Sequence, residues 1–121
     1  MPEKRSQQHH RERLGEALRE EIETILEGEL ADPRIGLVNV SEVQLAPDSR
    51  SARVFVAVQG DDAEADRTLE GLAAARGFIR HELGERLHLR RAPELFFQVD
   101  RSQQYQTRIA ELLDRTKKRK K

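Results

Sequence analysis

Ala73-Ala74-Ala75-Arg76-Gly77-Phe78-Ile79-Arg80 is the stretch on which the reading of this chain turns. Apolar residues keep helical spacing on both sides of it, with Ala65, Leu69, Leu72 and Ala73 before and Phe78, Ile79, Leu83 and Leu87 after. Gly77 interrupts that pattern without ending it. A glycine inside a helix costs about 1 kcal/mol relative to alanine, so its presence asks for a reason. Small residues let backbones approach closely, and glycine adopts angles that bend a helix. The stretch therefore predicts a helix, a sharp kink at Ala75-Arg76-Gly77, and a second helix. From Arg76 to Arg91 the chain holds five arginines (Arg76, Arg80, Arg86, Arg90 and Arg91) against two glutamates, with His81 and His88 among them. A kinked helix pair with cations at its joint is suited to holding a phosphate backbone.

Working outward, the order of elements follows from periodicity. Upstream, Leu14, Ala17, Leu18, Ile22, Ile25, Leu26 and Leu30 mark one face of a long amphipathic helix. Asp32-Pro33 is expected to end it, because a residue before proline is pushed away from helical angles. Leu37 to Leu45 reads as a strand in which Val38 and Val40 share a face while Val43 and Leu45 are out of phase. A bulge near Ser41-Glu42 would restore the register. Pro47-Asp48-Ser49 is a hairpin connection, and Ala52, Val54, Val56 and Val58 alternate with Arg53, Phe55, Ala57 and Gln59 as a half-buried strand. Gly60-Asp61-Asp62 caps the helix that leads to the kink. Downstream, Leu95, Phe97 and Val99 alternate as a third strand. Asp100 or Ser102 can cap a last helix bearing Ile109, Leu112 and Leu113.

This order predicts an α+β domain: a small three-stranded sheet with helices on one face and a C-terminal helix, matching type II K-homology (KH) topology. The reading divides the chain into a flexible N-terminus over 1–10, one domain over 11–114, and a disordered basic tail over 115–121. The tail lacks any apolar residue from Thr116 to Lys121.

Composition narrows the function. The 121 residues suffice for one modest core. There is no cysteine, which excludes disulfides and zinc–cysteine sites. Aromatics are only 4%, too few for broad base-stacking surfaces. The net charge of zero hides an asymmetry. Arg115 to Lys121 carries six basic residues, leaving 16 basic and 22 acidic residues in the body, a net of −6. A body of that sign binds RNA only through a local face. Neither a signal peptide nor a membrane span is expected.

Enzyme readings are weak. His81-Glu82 begins like a metalloprotease helix, but Glu85 stands where the second histidine would be needed. His81 and His88 could share a helical face but have no evident third ligand. No phosphate-binding loop, dinucleotide glycine pattern or serine nucleophile signature occurs. Neither a metal nor a cofactor is expected.

An ordered set of motifs adds to this. Ile25-Leu26-Glu27-Gly28-Glu29, Asp32-Pro33-Arg34-Ile35-Gly36, Val54-Phe55-Val56, Gly77-Phe78-Ile79-Arg80, Leu89 to Phe97 and Asp100-Arg101-Ser102 together resemble the bacterial ribosome-binding factor A family. The similarity runs from about Arg11 to Leu113. It implies a KH-like domain in which an Ala-x-Gly kink, here Ala75-Arg76-Gly77, replaces the usual Gly-x-x-G loop. It further implies a cytoplasmic, non-enzymatic assembly factor without cofactor, binding the small ribosomal subunit and its ribosomal RNA late in maturation. Two features depart from the family: Gln106 stands where many relatives have glycine, and the tail is short and lysine-rich.

The residues expected to contact RNA are Ala75, Arg76, Gly77, Arg80, Arg86, Arg90 and Arg91, with Arg34, Arg11 and Arg13 in support. The bland alternative for the helical arginines is a solvated face paired with Glu82 and Glu85. Arg34 is equally suited to organising its turn, and Arg11 and Arg13 to surface solubility. Tyr105 and Phe96 could stack on a base, with core packing the better reading for Phe96. Arg80→Ala together with Arg90→Ala is expected to weaken subunit binding and leave the fold intact. The competing function is a protein–protein adaptor that uses the acidic first helix or a sheet edge. The protein is expected to be a monomer.

Overall fold

In the computed structural model, residues 5–28, 30, 33–36 and 38–119 are described, with the side chains of 103–105 and 117–119 excepted. The elements are α1 (Arg5–Gly28), β1 (Val38–Leu45), β2 (Ser51–Val58), α2 (Asp62–Ala74), α3 (Arg76–Leu87), β3 (Glu94–Val99) and α4 (Ser102–Arg119). The strands form one sheet in the order β1-β2-β3, with β1 antiparallel and β3 parallel to β2. A parallel neighbour cannot be reached by a tight hairpin. The α2–α3 pair supplies the crossover, and the fold is the expected KH-like α+β arrangement.

The bulge expected in the first strand is present. The β1–β2 register shifts between Val40 and Glu42, leaving Ser41 unmatched, while its hydroxyl donates to the Phe55 carbonyl at 3.1 Å. Without the shift Val40 and Val43 would face opposite ways; with it both are buried, together with Ala52, Val54, Val56 and Leu95. α1, α2 and α3 cover this one face. Leu18, Ile22 and Ile25 from α1, Leu72 from α2, and Ile79 and Leu83 from α3 are fully buried on it. α1 can lie close to the sheet because of Gly15, where an added methyl group would come 2.7 Å from the Val43 carbonyl oxygen. The other face of the sheet carries none of these helices.

Caps fix where the helices begin. The Asp61 carboxylate accepts from the Glu64 amide at 2.9 Å, and Asp100 accepts from the Ser102 amide at 2.9 Å. Both agree with the capping residues expected from the sequence. At its other end α3 closes on His88, a non-glycine residue in the left-handed region (φ 52°, ψ 43°).

Two boundaries differ from expectation. α1 begins at Arg5, within the stretch read as flexible, and stops at Gly28, before Asp32, which lies outside the described residues. α4 runs to Arg119, through most of the stretch read as a disordered tail. Neither extension contains proline or glycine, and cations near a helix C-terminus interact favourably with its dipole. Among the described residues, none from α4 joins the core, and Ile109, Leu112 and Leu113 are exposed.

Candidate nucleic-acid interface

The joint between α2 and α3 is a single residue, Ala75, with φ −86° and ψ 0°. The hydrogen-bond ladder passes through it: the Ala75 amide donates to the Gly71 carbonyl, and the Ile79 amide to the Ala75 carbonyl, each at 3.0 Å. Gly77 is already inside α3. Its φ is not positive, and an added methyl group would meet nothing within 4 Å. The break thus sits at Ala75, and neither steric crowding nor special backbone angles require glycine at Gly77. What Gly77 leaves is an exposed, low-profile turn of backbone beside Arg76 and Phe78.

The candidate arginines do not form one patch. Arg76 is half-buried, with its guanidinium carbon 5.9 Å from the centre of the Phe96 ring and its Nε buried without a hydrogen-bond partner among the described residues. Arg80 turns inward, where its Nε donates to the Pro93 carbonyl at 3.1 Å and its Nη2 to the Ala92 carbonyl at 2.9 Å. It clamps the α3–β3 loop, so its removal is expected to cost stability as well as charge. Arg86 lies on the α1 side of α3, paired with Glu82 at 3.4 Å and Glu21 at 3.5 Å. Its pairing with Glu82 follows the bland reading.

Arg90 and Arg91 are different. They sit in the loop that leaves α3 through His88, and both are exposed. Among the described residues nothing holds either guanidinium in a hydrogen bond or ion pair. Leu89, whose amide donates to the Gly84 carbonyl at 3.0 Å, packs against the core and anchors the loop from below. The loop leads into β3 at Glu94, whose amide donates to the Arg50 carbonyl at 2.9 Å. This is the end of the sheet that carries the β1–β2 hairpin. Arg11 is half-buried at the same end, lining a recess with Pro47 and Ser49. Arg13, two residues on, is exposed on α1.

Arg34 lies at the opposite end, beside Gln59, Gly60 and Arg67. Its carbonyl accepts from the Thr68 hydroxyl at 3.4 Å. Its turn is pressed against α2, where an added methyl group at Gly71 would come 2.7 Å from Ile35 Cγ1. Acidic groups cluster at that end: Asp61, Asp62 and Glu64 open α2, and Arg101 is tied to Asp62 at 2.9 Å. Asp100 also lies there, its carboxyl held below the usual range by the Ser102 amide, then by the Ser41 and Ser102 hydroxyls. Arg90 and Arg91 are thus presented at the hairpin end, while Asp61, Asp62, Glu64 and Asp100 lie with Arg34, Arg67 and Arg101 at the other.

Phe96 departs from the core-packing expectation. It is 45% exposed on the open face of the sheet, and Phe97 is the half-buried residue of the pair. The alternation that turns Leu95, Phe97 and Val99 inward requires this outcome and is the signal in the sequence that points to it. Tyr105 lies outside the described side chains. Among the described residues no group of three or more metal-binding side chains converges, and no helix is long and apolar enough to cross a membrane.

The architecture is that of a KH-like domain in which the single alanine joint Ala75 connects α2 and α3. Within it the assignment is specific. The sequence profile of the family described as ribosome-binding factor A matches residues 10–113, and the chain belongs to that family. It is 63% identical to ribosome-binding factor A of Koribacter versatilis over 98% of this chain and 97% of the relative. A crystal structure of ribosome-binding factor A from Thermus thermophilus superposes with a TM-score of 0.68 at 26% identity, covering 76% of this chain and 97% of that one. Coordinates of the Thermus thermophilus factor fitted into a cryo-EM map of its complex with the 30S subunit superpose at 0.63 with 27% identity, covering 75% of this chain and 96% of that one.

Proposed function

We propose that this protein binds the small ribosomal subunit as a non-catalytic factor in its late maturation, touching the ribosomal RNA directly. The observation that carries the reading is its similarity, over most of the chain, to a relative fitted as a complex with the 30S subunit. Docking is electrostatic and local. Arg90 and Arg91 supply the phosphate contacts, Arg76 and the Gly77 backbone lie against the same RNA surface, and the other end of the sheet faces away. No Gly-x-x-G loop grips a single strand, so shape and position on the subunit set specificity rather than a base sequence. The protein acts in the cytoplasm as a monomer.

Sedimentation with isolated small subunits, large subunits and bare RNA at two salt concentrations tests this. With the two phosphate contacts of Arg90 and Arg91, affinity should fall by roughly one decade between about 50 and 200 mM salt. Salt-sensitive pelleting with small subunits alone is the expected result. No pelleting at low salt would overturn the reading. An adaptor role is the second reading, favoured by the exposed Ile109, Leu112 and Leu113 of α4. Binding through that apolar stripe would change little with salt.

A further inference from the structure

The helix-free face of the sheet carries a set of side chains that the docking surface above does not use. The registers place Gln44 beside Arg53 and Arg53 beside Phe96 in one row across the three strands. The next row on that face runs Glu42, Phe55 and Gln98, and the row on the other side pairs Ser51 with Glu94, so two exposed carboxylates flank the central row. Gln44, Arg53, Phe96 and Gln98 line an open recess of about 560 Å³ together with Leu45, Pro47 and Ser51. That volume is within the range of about 300–1,000 Å³ typical of small-ligand sites. A single exposed phenylalanine is ordinary on a protein surface. Its neighbours set this one apart. Arg53 is exposed and, among the described residues, has no partner, and Arg76 approaches the Phe96 ring from the helix joint.

An aromatic face, two cations beside it and two amides within one row of it are the groups that hold an unpaired nucleotide. The ring stacks the base, the guanidiniums take the phosphate, and amide side chains bond the base edge. A protein partner would call for a broader apolar surface; here Phe96 is the main apolar group exposed, and the rest of the row is polar. We infer that the open sheet face is a second RNA contact, which stacks one unpaired base on Phe96 with Arg53 on the adjoining phosphate. Arg76 links this face to the docking surface, because it belongs to the helix joint and reaches the ring. The inference rests on the small-subunit reading only for the source of the RNA.

The test is a titration of the isotope-labelled full chain with a short unstructured RNA of adenine and uracil, and with the same sequence as a duplex, followed by amide NMR. The single strand should shift the amides of Gln44, Arg53, Phe96 and Gln98, and the duplex should not, since its bases are already paired and stacked. Phe96→Leu, which keeps the apolar bulk but removes the π face, should weaken single-strand binding roughly tenfold, while Phe96→Tyr should retain it. Arg53→Gln, at an exposed position, should lower the salt slope by about 0.7; it serves as the readout if Phe96→Leu disturbs the fold.

Equal shifts with duplex and single strand would overturn the inference, as would shifts confined to other surfaces. Sheet-face shifts that follow protein concentration rather than RNA would also overturn it, by showing that the face pairs two copies of the chain. Pelleting the same preparations with small subunits separates the two readings. Subunit binding with no oligonucleotide response on the sheet sinks this inference alone. Oligonucleotide binding at Phe96 without subunit binding supports it and sinks the small-subunit reading.

Discussion

Arg80 and Arg90 lie ten residues apart in one basic run, and the molecule uses them in opposite ways. Arg80 points back into the fold and donates to two carbonyls of the loop it helps to shape. Arg90 sits on that loop, exposed, with nothing holding its charge among the described residues. One is part of the scaffold and the other is what the scaffold presents. The same division runs through the other candidates, with Arg86 paired to carboxylates on two helices and Arg91 outward beside Arg90. A count of arginines therefore overstates the binding surface, and a carbonyl or carboxylate within reach decides which ones remain available.

The comparison breaks most visibly at Arg80. Arg80→Ala leaves the Ala92 and Pro93 carbonyls without their charged donor, which should cost about 1–3 kcal/mol of stability. A urea melt should show a lower midpoint with the slope kept. An unchanged midpoint would mean that the clamp holds nothing. Arg90→Ala should stay within about 0.5 kcal/mol of the parent in the same melt, as expected for an exposed side chain with no partner.

Gly77 sharpens the contrast between scaffold and presented surface. It lies in a helical turn with open space where a methyl group would go. Gly77→Ala should therefore stabilise the domain by about 0.5–1 kcal/mol. If RNA backbone approaches closely at this turn, the same substitution should weaken subunit binding while raising the melting midpoint. A destabilised Gly77→Ala would show that the joint needs glycine after all.

The smallest expected effect lies at the Asp100 end of the sheet. The folded-state pKa of Asp100 is lowered by the Ser102 amide and by the Ser41 and Ser102 hydroxyls. A depressed carboxyl stabilises the fold above its ordinary pKa, and the contribution is lost as pH falls through the lowered folded value. The start of α4 should consequently loosen only in acid below the usual aspartate range, read as the pH dependence of the Ser102 amide resonance. A midpoint at the ordinary aspartate value would remove Asp100 as the cap. At neutral pH the hairpin-end cations should be indifferent to it.

The sheet and its covered face were legible because burial leaves few choices. With one face of β1 buried, Val40 and Val43 can both turn inward only through a bulge, and the phase break at Ser41-Glu42 announced it. The helix joint was legible to within two residues, since the alanine and glycine run marks a weak point but does not say which residue carries the unusual ψ. The partners of the arginines were not legible. Arg80 meets carbonyls 12 and 13 residues away, and Arg86 meets Glu21 on another helix, contacts that exist only once the chain has folded. The exposure of Phe96 could have been read, because strand alternation that buries Leu95 and Phe97 leaves it outside.

The most direct test measures small-subunit affinity against salt for the parent protein and for the Arg90→Ala/Arg91→Ala double variant. If these two arginines bind phosphates, the double variant should bind more weakly. Its salt slope should be shallower by roughly 0.7–0.9 for each arginine that engages a phosphate, with the melt unchanged. Equal affinity and an equal slope in the two proteins would contradict the account and place the binding surface elsewhere on the domain.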